Sequence, residues 1–317
     1  MGRSRKVESR VVAFLDRLRE AEPVLYPRAF TRATVLSAIG RVGLEEAVAR
    51  GGLVALLPGV YVAADQAEAH DVRCEAVMVW SKKAALIAGE SALHLRNRAF
   101  PAPERVRAVV PPGWSTRPPA WIHLPRLPRP SAISSALGSR CLLAEDALLD
   151  AWACASSDRR KDILYRALWL KIAGPRRLVN AASRRARLPD RRTFDAIMGD
   201  FLTGATSPTE VMARREVFTG PEFAELEWQV PMVVNGRRRI PDAIHRAAKV
   251  DLECDGDADH TGPRAVARDR ERNTEFAAIG WLPVRFSFKD LRDRPEWCRR
   301  MLADTIAARL ERPRASP

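Results

Sequence analysis

The sequence lacks any uninterrupted run of about eighteen apolar residues, which is close to the minimum for a membrane-spanning helix. It also lacks an apolar signal core, because its basic first residues lead directly into the charged, amphipathic segment 11–18. These absences exclude a transmembrane anchor of the ordinary kind. We therefore predict a cytoplasmic protein with no membrane partner.

Cysteines are few and unpaired. The 317 residues contain 5 cysteines, an odd number at wide spacing, and no C-x-x-C pair. This pattern argues against both a disulfide framework and a cysteine-based zinc site. We expect reduced thiols that are mostly buried.

The last third of the sequence lacks the positive charge that the rest carries. Formal net charge is +14, and residues 1–200 hold 33 Lys and Arg against 20 Asp and Glu, whereas residues 201–317 hold 20 against 19. A codon bias towards arginine would raise the charge everywhere, so it does not explain the asymmetry. The excess indicates a polyanionic partner for the first two thirds, most simply DNA.

Carboxylates gather on one face of a strand predicted in the last third. The Asn-Gly pair at 235–236 separates two β-branched runs and predicts a hairpin with a type I′ turn. In the next run Asp251, Glu253 and Asp255 alternate with apolar residues, so they share one face. Asp242 reaches this face if its strand pairs with theirs. Alternation alone is typical of a solvated edge strand, whereas converging carboxylates would favour a bound cation.

This stretch resembles the metal-binding core of the PD-(D/E)xK, or restriction-endonuclease-like, nuclease superfamily, and in particular its very-short-patch-repair-like branch. The resemblance covers residues of about 205 to 310 and rests on an ordered set of motifs. They are Ser207-Pro208-Thr209-Glu210, Gln229-Val230-Pro231, Asp242, Glu253-Cys254-Asp255-Gly256, His260, Arg268–Asn273, and Gly280-Trp281 through Arg285-Phe286. It implies an αβββαβ core in residues 201–317, whose first strand begins at Gln229, and the activity of a metal-dependent DNA endonuclease.

The resemblance also implies roles for single residues. Asp242, Glu253 and the backbone carbonyl of Cys254 would hold Mg²⁺ or Mn²⁺, because hard oxygen ligands favour these ions over zinc. Glu210 would support this metal or hold a second one. Arg268 and Arg272 on the basic helix would contact DNA.

One position departs from the superfamily pattern. The motif ends in a lysine that helps to activate the attacking water, and this sequence has Asp255 there. We predict that His260 is the base, since a neutral imidazole accepts a proton near neutral pH. Lys249 and Arg268 are the alternatives, and Asp255 completes the predicted catalytic set.

Residues 1–66 predict three short helices followed by a hairpin, the order of a winged helix-turn-helix. Thr31 precedes the second helix, and a Gly-Gly pair at 51–52 ends the third. With Arg50-Gly51 and Pro58-Gly59-Val60-Tyr61, the region resembles the N-terminal domain of AbiEi-like antitoxins of type IV toxin-antitoxin systems. That resemblance implies DNA binding, here through Arg41 and Arg50, and either a toxin partner or a homodimer. The uncharged wing also fits a winged helix used for protein contacts.

Residues 67–200 predict a basic, mostly helical middle region of the antitoxin-like part. Twelve Lys and Arg lie between Arg159 and Arg192. The pairs Arg176-Arg177 and Arg184-Arg185 are candidates for DNA phosphate contacts, although a charged helical face is usually only solvated.

Two functions from different classes follow for this α+β, multidomain protein. The first is a DNA-binding, Mg²⁺-dependent endonuclease acting in defence, repair or a toxin-antitoxin context. The second is an antitoxin-type DNA-binding transcriptional regulator whose nuclease fold binds without cutting. The missing lysine favours the second function, and intact Glu210, Asp242 and Glu253 favour the first. An RNA nuclease stays open, since the metal and phosphate chemistry is the same on both polymers.

Overall fold

The computed structural model describes residues 8–16, 27–128, 133–203, 207–255 and 263–311, and it describes the side chains of all of these except 203 and 263–269. Helices and mixed sheets alternate along the chain, which makes this a mixed α/β protein. Two compact units divide it: unit 1 is Met1–Ile163 with Ile172–Pro189, and unit 2 is Leu164–Lys171 with Asp190–Pro317. The domain boundaries at residues 66 and 200 stay predictions.

Unit 1 begins with a small helical and β-sheet layer. Its elements are helix α1 (8–16), β1 (Phe30–Thr31), α2 (Arg32–Ala49), β2 (Leu53–Leu57) and β3 (Val60–Ala63), with sheet order β1-β3-β2. The Thr31 hydroxyl accepts a hydrogen bond from the Thr34 N–H at 3.2 Å and caps α2, as the sequence predicts. Gly40, with φ of 74°, kinks α2 where two separate helices are predicted. Apolar residues of α1 and α2 pack against the β2–β3 hairpin.

The rest of unit 1 combines helices with a second sheet. The elements are α3 (His70–Trp80), β4 (Leu86–Ile87), α4 (Gly89–Arg96), β5 (Val106–Val109), β6 (Ile122–His123), β7 (Ile133–Ala136), β8 (Ser139–Leu142), α5 (Ala144–Cys154), α6 (Ser157–Trp169, which continues into unit 2) and α7 (Pro175–Ser183). Five strands form a mixed sheet in the order β6-β5-β4-β8-β7. The middle region therefore contains a sheet beside its predicted helices.

Unit 2 is built on a four-stranded sheet. Its further elements are α8 (Arg191–Thr203), α9 (Pro208–Met212), β9 (Leu226–Trp228), β10 (Met232–Val234), β11 (Arg237–Arg239), β12 (Ala243–His245), β13 (Val250–Asp255), α10 (Pro263–Ala278), β14 (Leu282–Ser287), α11 (Phe288–Asp293) and α12 (Pro295–Glu311). The sheet order is β14-β13-β12-β9, in which β13 and β14 are parallel and the other pairs are antiparallel.

The predicted hairpin is confirmed, but it stands apart from the sheet. β10 and β11 pair with each other, and Asn235 and Gly236 have φ of 47° and 74°, as a type I′ turn requires. The prediction that Gln229-Val230-Pro231 begins the first core strand is wrong. β9 ends at Trp228, because Gln229 has a φ of 52° and Pro231 has no N–H to donate to the ladder.

The interpretation of β13 as a solvated edge strand is also wrong. β12 and β14 flank β13 on its two sides, so it is an interior strand. Asp251 and Glu253 are 1% and 6% exposed. The acidic face is therefore buried.

Two expectations about composition can be compared with the structure. All 5 cysteines are free thiols, and four of them are buried while Cys154 is exposed. Among the described residues, no helix is both long and apolar enough to cross a membrane.

Candidate functional site

Five acidic side chains of unit 2 come together on β13 and beside it. They form what we term the carboxylate cluster: Glu210, Asp242, Asp251, Glu253 and Asp255. Glu210 comes from α9, Asp242 from the residue before β12, and the other three from β13. The sequence predicted that Asp242 would join the β13 carboxylates, and the antiparallel pairing of β12 with β13 brings this about.

Asp242 is fixed to β13 through the backbone. Its Oδ2 accepts a hydrogen bond from the Cys254 N–H at 2.6 Å. Burial, followed by the charge of Glu210, raises the pKa of Asp242 to about 7. The backbone hydrogen bond from Cys254 opposes this rise and does not cancel it.

Glu253 lies at the centre of the cluster. Burial, and then the charges of Asp242 and Asp251, raise its pKa well above the ordinary range. Arg272 from α10 donates a hydrogen bond to Glu253 Oε1 and acts in the opposite direction. The site thus concentrates acidic groups in a largely buried place, where their neutral forms are favoured.

Asp251 is the most deeply buried carboxylate of the cluster. Its Oδ1 has no hydrogen-bond partner among the described residues, and burial raises its pKa. A buried acceptor without a partner is costly, so such atoms are rare in folded proteins. Asp251 therefore marks a place where the described side chains do not satisfy the polar groups.

Asp255 stands where the superfamily motif has its lysine. Arg285, on the neighbouring strand β14, donates from Nη1 to both oxygens of Asp255 at 3.3 Å. The Nη2 of Arg285 donates to Asn273 Oδ1 at 3.1 Å. Asp255 is therefore part of an ion pair.

Two contacts position Glu210: the N-cap of α9 and the side-chain amide of Gln229. Ser207 accepts a hydrogen bond from the Glu210 N–H at 3.2 Å and starts α9, with Pro208 in the first turn. Gln229 Nε2 donates to Glu210 Oε2, and Glu210 is 7% exposed. These contacts aim one carboxylate of the helix at the cluster.

Sequence reasoning did not find the roles of Gln229 and Arg285, and it assigned Arg272 to DNA contact, whereas Arg272 bonds to Glu253. The positive φ of Gln229 is not visible in the sequence. Arg285 lies directly opposite Glu253 in the parallel pairing of β13 with β14, a register that the sequence does not reveal.

Of the three residues predicted to activate the attacking water, only Lys249 has a described side chain. His260 lies outside the described residues, and so does the side chain of Arg268. Lys249 precedes β13, four residues before Glu253 and hence about 13 Å along the strand. Lys249 stays a prediction as the activating group, and its Nζ lies beside Gly280, just before β14 begins.

The described residues contain no group of three or more His, Cys, Asp or Glu side chains arranged as a ready-made metal cage. Asp242 and Glu253, with the backbone carbonyl of Cys254 next to Glu253 in the chain, are the oxygen donors that would hold a cation. Two carboxylates are the number that Mg²⁺ ordinarily takes from a protein, since it keeps several of its waters. The donor set therefore fits a hydrated Mg²⁺ better than a dehydrated Ca²⁺ or Zn²⁺.

Most of the predicted DNA-binding arginines of unit 1 have carboxylate partners. Arg41 bonds to Glu45 at 2.9 Å, and Arg50 bonds to Glu8 at 2.8 Å and to Glu46 at 2.7 Å. These surface pairs leave the second half of α2 nearly neutral.

In each of the two arginine pairs near α7, one member has a carboxylate partner among the described residues and the other does not. Arg177 bonds to Glu145 at 3.0 Å, and Arg185 lies 3.7 Å from Asp146. Arg176 and Arg184 are exposed, and within the described part of the chain neither of them has an ion-pair partner. One member of each pair is thus available to an external anion.

Unit 1 also contains a cavity of about 310 Å³, lined in part by Arg107, His123, Cys154 and Arg159. Arg107 donates to Asp150 at 2.5 and 2.7 Å, and Arg159 donates to Glu90 at 2.8 Å. These internal pairs balance the charge of the cavity, which therefore offers no excess charge to an anionic ligand.

Comparison with known proteins adds little. No protein-family model matches the chain, and no curated protein sequence matches it. The crystal structure of the RV2827C protein from Mycobacterium tuberculosis aligns with a TM-score of 0.39 and 17% identity, over 72% of this chain and 88% of that chain. A likeness this weak supports no inference about function.

Proposed function

We propose that this protein is a DNA-binding endonuclease that hydrolyses phosphodiester bonds at the carboxylate cluster with Mg²⁺ or Mn²⁺. The observation that carries the proposal is that half-buried Asp242 and buried Glu253 lie side by side, with the pKa of each raised by burial and by neighbouring carboxylates. Perturbed carboxylates of this kind concentrate at functional sites. A purely structural role would not need several acidic groups in one buried place.

The order of elements in unit 2 supports the same proposal. Helix α9, strands β9, β12 and β13, helix α10 and strand β14 follow one another in the chain. Apart from the β10–β11 hairpin between β9 and β12, this order agrees with the αβββαβ core that we propose from the sequence motifs. Glu253 and Asp255 lie on β13, as expected, whereas Asp242 precedes β12 and is not part of the hairpin on which it was expected.

In the proposed reaction the residues of the cluster bind and orient. Asp242 and Glu253 would hold the cation, with the Cys254 carbonyl as a third oxygen, and the Cys254 N–H keeps Asp242 in place. Gln229 aims Glu210 at the same centre. When bound, Mg²⁺ supplies Lewis-acid activation of a water and neutralises charge on the phosphate. His260 stays the predicted base.

DNA would also be bound by unit 1. The order β1, kinked α2, β2 and β3 supports a winged-helix arrangement, which we propose as the DNA-contacting part of residues 1–66. Because Arg41 and Arg50 are paired, phosphate binding would fall mainly on Arg176 and Arg184. Lys and Arg contacts to phosphates dominate affinity for DNA.

A second candidate is an antitoxin-type transcriptional regulator that does not cut DNA. Asp255 replaces the motif lysine, and Arg272 and Arg285 already pair with Glu253 and Asp255. Val42 and Val48 on α2 are 64% and 43% exposed, which suits contact with a toxin or with a second copy of the chain.

Incubation of the full-length protein with supercoiled plasmid decides between the two functions. We expect nicking with Mg²⁺ or Mn²⁺, none with EDTA, and none from Asp242→Asn or Glu253→Gln. Glu227→Gln is the matched control, since Glu227 is an acidic residue of the same sheet, its side chain is 39% exposed, and it pairs only with Arg246 among the described residues. DNA binding without nicking under every metal condition would favour the regulator.

A further inference from the structure

Arg272 enters the carboxylate cluster from helix α10. Besides its bond to Glu253 Oε1, its Nη2 lies 3.5 Å from the carbonyl oxygen of Ile240. Its guanidinium stands 5.7 Å from the centroid of the Phe276 ring, within the range of a cation–π contact. The side chain is 23% exposed, so solvent or a ligand can still reach it. The position of this cation is thus fixed by an acid, a carbonyl and an aromatic ring.

The hydrogen-bonding capacity of Arg272 is not fully used. Its Nε is buried and has no hydrogen-bond partner in the described residues. A guanidinium has five N–H donors in a planar fork, which matches two oxygens of a phosphate. On the acidic side, Asp251 Oδ1 is buried without a partner as well. A buried donor and a buried acceptor, both without a hydrogen-bond partner in the described residues, indicate a place where a ligand could bind.

Arg285, the other described arginine of the cluster, also has a buried Nε without a hydrogen-bond partner, but both of its Nη groups already donate to side chains of the site. Asp255 occupies the lysine position of the motif, and Arg285 is engaged by Asp255 and Asn273. Lys249 is at the other end of the strand. Arg272 is the arginine that contacts Glu253, one of the two proposed metal ligands.

We propose that Arg272 is the phosphate-binding cation of the active centre and takes the place of the missing motif lysine. This inference rests on the proposed function. Without a divalent cation, the guanidinium is hydrogen-bonded to Glu253. With one, Arg272 releases Glu253 and binds the non-bridging oxygens of the scissile phosphate.

Competition for Glu253 predicts opposite effects of an Arg272 variant on cation affinity and on the rate of cleavage. A divalent cation and a guanidinium attract the same carboxylate, so each weakens the binding of the other. Removal of Arg272 should therefore strengthen cation binding and slow cleavage. A residue that only supports the fold would weaken both.

The experiment measures two quantities on the full-length protein: the Kd for Mn²⁺ by calorimetry without DNA, and kcat and KM on a labelled duplex. For Arg272→Ala we expect a Kd lower by about tenfold, because a hydrogen bond to a charged group no longer has to be broken. We expect kcat to fall by about 10² to 10³, the usual cost of one lost electrostatic donor. KM should change little.

Two further variants complete the test. Arg272→Lys keeps the charge, so we expect it to retain a Kd near that of the wild type and to recover part of kcat, even if Arg272→Ala fails to fold. Arg270→Ala is the matched control, because Arg270 is an exposed arginine on the same helix. It should leave the Mn²⁺ affinity and kcat unchanged.

Failure of this inference differs from failure of the proposed function. If wild-type protein binds no Mn²⁺ and cuts no DNA, the proposed function is wrong. If wild-type protein does both, and the Arg272 variants match it in Kd and kcat, Arg272 has no role at the phosphate and the inference alone is overturned. Weaker Mn²⁺ binding in both Arg272 variants would also overturn it.

Discussion

The two units use arginine–glutamate pairs of opposite character. In unit 1, the side chains of Arg41 and Glu45 are 80% and 63% exposed, whereas in unit 2 those of Arg272 and Glu253 are 23% and 7% exposed. Water and salt screen the exposed pair, so it contributes little to stability. Loss of one partner of a buried pair leaves an uncompensated charge. The burial of each arginine, and not the total number of arginines, therefore decides which pairs matter.

The largest expected effect concerns pH and Asp242. A raised pKa means that the folded state prefers the protonated carboxyl. The stability gained from protonated Asp242 is fully present below the ordinary pKa of about 4 and is lost as pH rises through about 7. In metal-free buffer, the free energy of unfolding of the wild type should fall over this range relative to Asp242→Asn, by at most about 4 kcal/mol.

Denaturant titrations at several pH values, followed by tryptophan fluorescence, measure this difference. Glu227→Gln again serves as the control and should follow the wild type, because the pKa of Glu227 is lowered by its bond to Arg246 and not raised. A wild-type protein that gains stability relative to Asp242→Asn as pH rises would contradict the interpretation of the cluster as crowded with negative charge.

An intermediate effect is expected on DNA affinity in unit 1. Replacing Arg176 and Arg184 by Ala should reduce the salt slope of log K by about 1.8, since each lost phosphate contact removes about 0.9. Arg177→Ala with Arg185→Ala is the matched control, and it should change the slope less because Glu145 and Asp146 already bind these side chains. Fluorescence anisotropy of a labelled duplex between 50 and 200 mM salt measures both. Equal slopes for the two double variants would show that internal ion pairs do not determine DNA contact.

The smallest effects are expected at Arg41. Its pair with Glu45 is fully exposed, so Arg41→Ala should leave the melting temperature and the salt slope within error of the wild type. If Arg41 reads DNA bases, the change should appear only as altered sequence preference in a competition experiment. A large drop in general affinity would mean that Arg41 leaves Glu45 for a phosphate.

Local sequence signals predicted the parts of unit 2 that depend on neighbouring residues. The Asn-Gly turn at 235–236 and the alternation in β13 are both present, because turn geometry and strand period are local properties. Burial of β13 on both faces was not predictable from alternation, since it depends on β14, which lies beyond α10 in the chain. The arginine partners were missed for the same reason. Arg272 and Glu253 are 19 residues apart and meet only when α10 covers the sheet.

The most direct test of the account is a calorimetric titration of full-length protein with Mn²⁺ at pH 7, repeated in two buffers of different ionisation enthalpy. Because the pKa of Asp242 is raised to about 7 and that of Glu253 is also raised, cation binding should displace protons. We predict one binding site, release of about one proton per Mn²⁺, and loss of binding in Asp242→Asn. No binding heat from the wild type, or unchanged binding in Asp242→Asn, would contradict the claim that the carboxylate cluster is a metal centre.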